Sequence, residues 1–325
     1  MSSTSSLVKH TLKPFSHFTS IQILFYTFLV LVSAMIVYRG LSIFYPQTEG
    51  FETETDDKLN IGSNKYVTKT GNDIYDEFYA DLYDELVYSS SKNNFDVGEI
   101  TALSTSDDLE KNVILDVGSG TGHHVDAFTK TGATAIGVDI SPSMVKKAKE
   151  NYPGLDFRVG NVTDTMLFSY NYFTHISCLY FTIYYIKEKV AFFRNCMSWL
   201  LPGGFLVLNL VDKYNFDPIL PAGNPFTIVS PQNYADKRIT TTVIKFHDYD
   251  YKSNFDLNED LAIFKETFKY KKNQKVRVNE HVLYMPTIQS VLAMAKDVGF
   301  IVTGRVDMGK IGYEHQFLYI LQKPE

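Results

Sequence analysis

The stretch that decides the fold is residues 113–139, VILDVGSGTGHHVDAFTKTGATAIGVD. A short apolar run, Val113–Val117, leads directly into a turn with three glycines, and residues 123–130 then have the composition of a helix. A second apolar run ends at the acidic residue Asp139. A strand, a glycine turn, a helix and a second strand with a terminal acid are typical of a nucleotide-binding β–α–β unit.

The three glycines of this turn are Gly118, Gly120 and Gly122. A side chain at Gly118 or Gly120 would keep the backbone away from a bound ligand, and it would penalise a positive φ angle. The carboxylate of Asp139 follows at the end of the next strand, where it can accept hydrogen bonds from both hydroxyls of a ribose. A charge-assisted hydrogen bond of this kind contributes about 1.5–3 kcal/mol.

Two cofactor classes compete for this unit. Dinucleotide-binding proteins prefer the spacing G-x-G-x-x-G, whereas the third glycine comes one residue earlier here. The stretch from Ile114 to Asp139 closely resembles the class I S-adenosylmethionine-dependent methyltransferases. The glycine motif of that family, D-x-G-x-G-x-G, is matched by Asp116, Gly118, Gly120 and Gly122.

This resemblance implies S-adenosylmethionine as the cofactor. In the family the glycine loop wraps the amino-acid end of the cofactor, and the acid after the second strand binds the ribose, which is the role expected of Asp139. Asp116 is expected to orient the cofactor's ammonium group through water. Where the family usually has Asp, this chain has Asn161, whose amide oxygen can still accept a hydrogen bond from the adenine amino group. Ile140 and Val162 are expected in the same cofactor site.

The resemblance covers most of residues 72–323 and predicts an α/β fold. The expected core is a Rossmann-like, seven-stranded, mostly parallel sheet with helices on both faces and an antiparallel last strand. Between the fifth strand and the closing pair lie about 80 residues, 212–289, which is too long for a simple connection. Strand-like alternation at 240–246, 262–268 and 276–284 predicts an antiparallel β insert over the active site.

Family members with such an insert, and with a tyrosine-bearing helix before the first strand, often methylate small molecules, including amines. His281 is the best candidate for a general base if the acceptor must lose a proton. The alternative is a histidine of the core or surface without a catalytic role. Tyr75 and Tyr83 are expected to cover the cofactor, because aromatic rings suit a sulfonium or ammonium cation. No metal site is predicted, since His123 and His124 point in different directions on a helix and no acid or cysteine cluster accompanies them.

The composition of the whole chain excludes several classes of protein. Its net charge of −6 over 325 residues argues against broad nucleic-acid binding, and its two cysteines exclude a disulfide scaffold. The first 48 residues contain no acid, and residues 21–38 carry no charge at all. That run is just long enough for a bilayer core of about 30 Å. A buried core helix and a cleaved signal peptide are the alternatives.

The predicted organisation is a tail at 1–20, a transmembrane helix at 21–45, a linker at 46–71 and a methyltransferase domain at 72–325 with its insert at 212–289. The residues 161–163, Asn-Val-Thr, form a glycosylation sequon. A glycan there would obstruct the adenine, so the domain is expected on the cytosolic side of a membrane. A mitochondrial membrane is an alternative, because the Ser- and Thr-rich tail resembles a presequence.

The function that these features indicate is methyl transfer from S-adenosylmethionine to a small-molecule acceptor, with an amine slightly favoured, by a membrane-anchored enzyme. A nucleic-acid partner is not expected. Two other functions remain open at this point: a membrane-tethered protein or RNA methyltransferase, and a non-catalytic module that binds the cofactor.

Overall fold

The structure is a computed structural model, and it describes residues 25–33, 65–103, 111–223 and 230–325. Residues 25–33 are helical and expose apolar side chains such as Phe25 and Leu31. No helix in the described ranges is long and apolar enough to cross a membrane. Apart from residues 25–33, the predicted anchor at 21–45 lies outside the described residues, as do the tail at 1–20 and most of the linker.

The helices and strands of residues 65–325 have the following bounds. The described strands are β1 (Tyr66–Thr70), β2 (Val113–Val117), β3 (Thr134–Asp139), β4 (Asp156–Val159), β5 (Phe173–Cys178), β6 (Leu200–Val211), β7 (Thr241–Lys245), β8 (Tyr249–Asn258), β9 (Leu261–Tyr270), β10 (Val276–Tyr284), β11 (Ile301–Asp307) and β12 (Gln316–Gln322). The described helices are α1 (Glu77–Val87), α2 (Ser90–Thr101), α3 (His123–Lys130), α4 (Pro142–Asn151), the one-turn α5 (Thr182–Tyr185), α6 (Lys189–Trp199) and α7 (Ile288–Val298).

Seven strands form the central sheet in the order β11-β12-β6-β5-β2-β3-β4. The pairs from β6 to β4 are parallel, and β12 runs antiparallel to both of its neighbours. The buried residues of β2, such as Leu115 and Val117, are as apolar as a strand covered on both faces requires. The predicted Rossmann-like α/β fold, with helices on both faces of a mostly parallel sheet, is therefore confirmed.

The helix after β3 begins as the sequence indicates. The side-chain oxygen of Ser141 accepts a hydrogen bond from the backbone N–H of Met144, and Pro142 occupies the first turn. Such a cap satisfies one of the backbone donors that a helix start leaves unpaired. Asp139 is thereby held between the end of β3 and the start of α4, at the carboxyl edge where α/β sheets bind ligands.

A second sheet, in the order β1-β10-β9-β8-β7, contains the insert. Strands β7 to β10 pair antiparallel, as predicted for an insert over the active site. Two of its strands were not predicted. Strand β8 continues the hairpins after β7, and β1 pairs parallel with β10 although Tyr66–Thr70 falls in the segment assigned to the linker. We call this five-stranded sheet the roof sheet.

The roof sheet packs on helix α1 through a cluster of aromatic side chains. Tyr79 and Leu86 of α1 belong to the same buried cluster as Tyr251 and Phe268 of the roof sheet. On its other side α1 contacts α4, where Lys147 bonds to Asp81. Helix α1 therefore joins the roof sheet to the edge of the central sheet that carries the glycine loop.

Candidate active site

A cavity of about 720 Å³ extends from the glycine loop to the roof sheet. This volume lies within the range of about 300–1,000 Å³ that small-molecule sites occupy. Most of the residues predicted for the site line this cavity: Tyr75, Tyr83, Gly118, Gly120, Asp139, Ile140, Asn161, Val162 and His281. The two other predicted residues, Asp116 and Gly122, are not among the residues that line it.

The three glycines of the loop all have positive φ angles, but they have different neighbours. A Cβ atom at Gly118 would lie 2.5 Å from the side chain of Thr182, and one at Gly122 would lie 2.7 Å from the ring of Phe157. At Gly120 the nearest atoms, on Met144 and Tyr83, would be 3.5 and 3.7 Å away. The close approach of a ligand is therefore a reason for glycine mainly at Gly120, while Gly118 and Gly122 leave room for protein side chains.

Asp139 stabilises the loop that it follows in the chain. Its Oδ2 accepts a hydrogen bond from the backbone N–H of Gly120 at 3.1 Å, and its Oδ1 accepts one from that of Ser141 at 2.9 Å. Burial raises the pKa of this carboxyl, and the two backbone N–H groups partly oppose that shift. The carboxylate faces the cavity, so the ribose contact remains a prediction that the geometry allows.

Asp116 lies beneath the loop, where it is 2% exposed. Its Oδ1 accepts a hydrogen bond from the hydroxyl of Ser177 at 2.7 Å, and burial raises its pKa. It lines a small pocket of about 40 Å³ together with Asn93 and Ser119. Asn93 Oδ1 and Ser119 Oγ have no hydrogen-bond partner within the described residues. Buried polar atoms of this kind usually have a partner, so the pocket fits a water or the polar amino-acid end of a cofactor.

Asn161 lines the cavity, and its side-chain oxygen also forms a local turn. Its Oδ1 accepts hydrogen bonds from the backbone N–H and the hydroxyl of Thr163, at 3.0 and 2.9 Å. An amide oxygen has two lone pairs. The predicted bond from the adenine amino group to this oxygen therefore requires one of these two bonds to open. Ile140 and Val162 line the cavity beside it, as predicted.

His281 lies on β10 and is almost completely buried, at 2% exposure. Its Nε2 lies 2.8 Å from Glu266 Oε2, and its Nδ1 lies 2.9 Å from the hydroxyl of Tyr185. Both ring nitrogens are thus occupied. His281 itself lines the cavity, and its role as a base stays a prediction: it would act through the hydroxyl of Tyr185 or displace it.

Glu266 is 0% exposed and has a donor on both of its carboxylate oxygens. Besides His281, Asn279 donates to Oε2 at 3.1 Å and the hydroxyl of Tyr251 donates to Oε1 at 2.8 Å. Burial alone would raise the pKa of this carboxyl, but the bonds from His281, Asn279 and Tyr251 outweigh it and lower the pKa. The carboxylate is therefore ionised, and it accepts the hydrogen that His281 carries on Nε2.

Four tyrosine rings connect the glycine loop to His281. Tyr83 lies next to Gly120, its ring centroid is 6.2 Å from that of Tyr79, and Tyr79 is 5.4 Å from Tyr75. Tyr75 in turn lies 6.0 Å from Tyr185 and 5.9 Å from His281. Burial raises the pKa of Tyr75, Tyr83 and Tyr185, so these side chains stay neutral phenols. The predicted positions of Tyr75 and Tyr83 at the cavity agree with the structure.

Two buried cations hold the walls of the cavity in place. The ammonium group of Lys189 donates to the backbone oxygens of Ile186 and Tyr284, and burial lowers its pKa to about 8. Arg277 of β10 donates to both carboxylate oxygens of Asp76 and to the backbone oxygen of Ile74. These contacts join β10 to the segments that carry Tyr185 and Tyr75, and none of them is visible as a sequence motif.

The paired histidines after the glycine loop have separate partners. His123 Nε2 lies 2.9 Å from Asp84 Oδ2, and its Nδ1 lies 2.6 Å from the hydroxyl of Tyr152. His124 Nε2 lies 3.4 Å from Asp96 Oδ2. The two rings thus connect helix α3 to two different neighbouring helices.

A comparison with protein families identifies the central part of this fold. Residues 115–208 match the family model described as "Methyltransferase domain". This part of the chain is similar to methyltransferase domains. The predicted enzyme class and its cofactor, S-adenosylmethionine, are confirmed at the level of this domain, which spans the strands and loops of the predicted cofactor site.

Curated relatives are about 30% identical to parts of this chain over the matched residues. A dTDP-4-amino-2,3,4,6-tetradeoxy-D-glucose N,N-dimethyltransferase of Saccharopolyspora spinosa is 30% identical over 142 residues, which are 42% of this chain and 55% of the relative. A ubiquinone biosynthesis O-methyltransferase of Xanthomonas campestris pv. campestris is 31% identical over 104 residues, which are 31% of this chain and 43% of the relative. The chain therefore spans about half the length of these relatives.

Solved structures agree with the fold over a larger part of the chain. An S-adenosylmethionine-dependent methyltransferase from Clostridium acetobutylicum superposes with a TM-score of 0.58 at 15% identity, covering 76% of this chain and 98% of that one. An S-adenosylmethionine-bound amino pentose methyltransferase from Micromonospora echinaspora gives a TM-score of 0.55 at 19% identity, covering 76% and 96%. At these identities the likeness shows the fold.

Proposed function

We propose that this protein transfers a methyl group from S-adenosylmethionine to a small-molecule acceptor, with an amine slightly favoured. The observation that carries the proposal is the single cavity shared by the glycine loop, Asp139, the tyrosine rings and the Tyr185–His281 pair. When bound, the cofactor supplies a methyl group on a positively charged sulfur. The loop, Asp139 and the pocket around Asp116 would hold it, while the roof sheet covers the acceptor and excludes water.

Three features support a small-molecule acceptor. The cavity has the volume of a small-molecule site. Its wall opposite the loop is largely aromatic, and aromatic faces attract ammonium groups as well as flat apolar molecules. The names of the relatives include an N,N-dimethyltransferase for an amino sugar and an O-methyltransferase. Positioning such a molecule against the methyl group can supply up to about 7–11 kcal/mol of the catalytic effect.

Calorimetry and a methyl-transfer screen test this proposal in two steps. The purified full chain is first titrated with S-adenosylmethionine, and binding is expected. The chain is then incubated with labelled cofactor and with separate sets of amines, hydroxyl compounds, peptides and RNA. Label in an amine or hydroxyl compound supports the proposal, and label only in peptide or RNA contradicts it. Tight cofactor binding with no transfer to any set would indicate the non-catalytic module.

We further propose that residues 21–45 attach the enzyme to a membrane, with its catalytic domain on the cytosolic side. The charge-free run at 21–38 and the position of the sequon residue Asn161 at the cavity support this. The full chain is expected to stay with membranes after carbonate washing, whereas a chain without residues 1–45 is expected to be released. A C-terminal tag protected from protease in sealed microsomes would contradict the cytosolic orientation.

A further inference from the structure

Three side chains from distant parts of the chain form one hydrogen-bonded row that ends at the cavity. Glu266 on β9 contacts His281 on β10, and His281 contacts Tyr185 at the end of α5. The exposure of the three side chains rises along the row, with 0% for Glu266, 2% for His281 and 37% for Tyr185. Tyr185 is therefore the member of the row that a bound acceptor can reach.

The direction of the two hydrogen bonds follows from the acid. The ionised Glu266 can only accept, so Nε2 of His281 carries the hydrogen that lies between them. In a neutral imidazole the other nitrogen is then an acceptor. Nδ1 accordingly accepts its hydrogen bond from the hydroxyl of Tyr185. The oxygen of that hydroxyl keeps two lone pairs. The hydroxyl of Tyr75 hydrogen-bonds to one of them, and the other is available to a proton donor in the cavity.

We propose that Tyr185 is the catalytic residue that receives the proton leaving the methyl acceptor, and that His281 and Glu266 are positioning residues that act through it. This inference rests on the proposed methyl transfer. The acceptor's hydroxyl or ammonium hydrogen moves to the Tyr185 oxygen, while the hydrogen of Tyr185 moves to Nδ1 of His281. The acceptor atom forms its bond to the methyl carbon as the sulfur–carbon bond breaks, and the electron pair of that bond stays on sulfur.

The charge balance of this step suits the buried site. With a hydroxyl acceptor the site holds a positive sulfur and the negative Glu266 before transfer, and a positive His281 and the same negative Glu266 after it. An ammonium acceptor adds one positive charge to both states, because its nitrogen ends as a methylammonium. The net charge in the cavity does not change, so no new charge is left without a partner in a medium of low dielectric constant. Tyr185 remains a neutral phenol at both ends of the step, in agreement with the burial that raises its pKa.

Contacts around Tyr185 fix it in this place. Its ring packs edge-on against that of Tyr75, and Thr182, one turn earlier in α5, lies against Gly118. Lys189 bonds to the backbone oxygen of Ile186, the residue that follows Tyr185. The hydroxyl of Tyr185 is thus held at a defined position relative to the glycine loop, as a proton acceptor in a methyl transfer must be.

The test compares Tyr185→Phe, which removes only the hydroxyl, with Tyr234→Phe, which removes one from an exposed ring outside the cavity. Affinity for S-adenosylmethionine, measured by calorimetry, is expected to stay within about twofold in both variants. Methyl transfer to catechol and to dTDP-4-amino-4,6-dideoxyglucose serves as the activity probe. We expect Tyr185→Phe to lose roughly 100-fold or more of the turnover rate, the lower end of general acid–base effects. Wild-type turnover in Tyr185→Phe, with cofactor binding intact, would overturn the proposal.

A second measurement needs no acceptor. In ¹⁵N NMR spectra of the cofactor-bound chain at neutral pH, His281 is expected as the tautomer protonated on Nε2, and the Nδ1 signal is expected to shift in Tyr185→Phe. A hydrogen on Nδ1 in the wild type, or an Nδ1 signal unaffected by Tyr185→Phe, would overturn the proposed proton transfer through Tyr185 to His281. This holds even if neither probe is methylated. A wild-type chain that binds no S-adenosylmethionine would instead refute the proposed function, so the two failures are distinguishable.

Discussion

The glycine-loop wall of the cavity comes from one continuous stretch, residues 113–139, whereas the wall around His281 combines side chains from α1, α5, β9 and β10. In the loop wall the groups that face a ligand are backbone atoms and one carboxylate. In the other wall they are side chains whose polar atoms bond to one another. The comparison teaches that local backbone geometry builds the first wall and that tertiary pairing builds the second, so substitutions should damage the two walls in different ways.

The largest loss in the free energy of unfolding is expected when Arg277, the cation that joins the roof sheet to the segment before α1, is removed. Arg277→Met removes both bonds to Asp76 and the bond to the backbone oxygen of Ile74, so that, among the described residues, Asp76 keeps only the N–H of Tyr79 and the ion pair with Lys69. Breaking a buried ion pair costs about 3–5 kcal/mol. Urea unfolding of the full chain measures this loss. Arg158→Met removes an exposed pair with Asp156, and exposed pairs contribute at most about 1 kcal/mol. Equal losses in both variants would mean that Arg277 does not hold the second wall together.

The next largest loss in the free energy of unfolding is expected for a substitution in the glycine-loop wall. Gly118→Ala combines the cost of a left-handed Cβ, about 1–2 kcal/mol, with a collision against Thr182, and overpacking adds about 1–3 kcal/mol. Gly154→Ala is the matched control, because it has φ +90° and no atom within 4 Å of the added carbon. We expect the free energy of unfolding to fall by about 2–5 kcal/mol for Gly118→Ala and by about 1–2 kcal/mol for Gly154→Ala. Equal losses would show that the contact with Thr182 yields easily.

Two buried carboxyls allow the walls to be compared by pH. In the fold the pKa of Glu266 is lowered from its usual 4.5, so its stabilisation is complete above pH 4.5 and is lost as the pH falls through the folded-state value. The pKa of Asp116 is raised from its usual 3.8, so stability decreases as the pH rises through its folded-state value.

At neutral pH Glu266→Gln is therefore expected to cost about 1–3 kcal/mol by leaving a buried group unsatisfied, whereas Asp116→Asn is expected to cost nothing or to stabilise the fold. Both differences from wild type should shrink below pH 4. Urea unfolding at pH 7, 5 and 3.5 measures them. A destabilised Asp116→Asn variant at pH 7 would contradict the expectation that ionised Asp116 destabilises the fold while ionised Glu266 stabilises it.

The smallest expected effect is on cofactor affinity. Asp139→Ala removes the acceptor for two backbone N–H groups and for the predicted ribose hydroxyls. We expect S-adenosylmethionine to bind roughly tenfold or more weakly, about 1.4 kcal/mol. Calorimetry measures the affinity, with Asp126→Ala as a control outside the cavity. Unchanged affinity for Asp139→Ala would contradict the prediction that Asp139 binds the ribose hydroxyls.

The loop wall was predictable almost residue by residue. The apolar runs of β2 and β3, the glycines between them and the Ser-Pro start of α4 are local signals, and each appears in the structure within a residue or two of its expected place. The same holds for the parallel order of the central sheet, which the family resemblance supplied. What the sequence did not reveal was the reason for Gly118 and Gly122, because their neighbours Thr182 and Phe157 are distant in the chain.

The second wall was predictable only in part. His281 was selected as a chemical type in a strand-like segment, but Glu266 pairs with it across β9 and β10, and the register of that hairpin cannot be read from either strand alone. Tyr185 reaches His281 from a one-turn helix that has no pattern of its own. Strand β8 was missed because FHDYDY suggests a surface, although its buried Tyr249, Tyr251, Ser253 and Phe255 alternate regularly.

The one-turn helix α5 has a consequence for exchanging parts between enzymes of this fold. Thr182 at its first position lies against Gly118, and Tyr185 at its last position bonds to His281. A chimera with the roof sheet of another enzyme but with residues 182–185 of this chain would keep Tyr185 and lose His281, its hydrogen-bond partner. Acceptor preference in this protein should therefore transfer between scaffolds only when that single turn travels with the inserted strands.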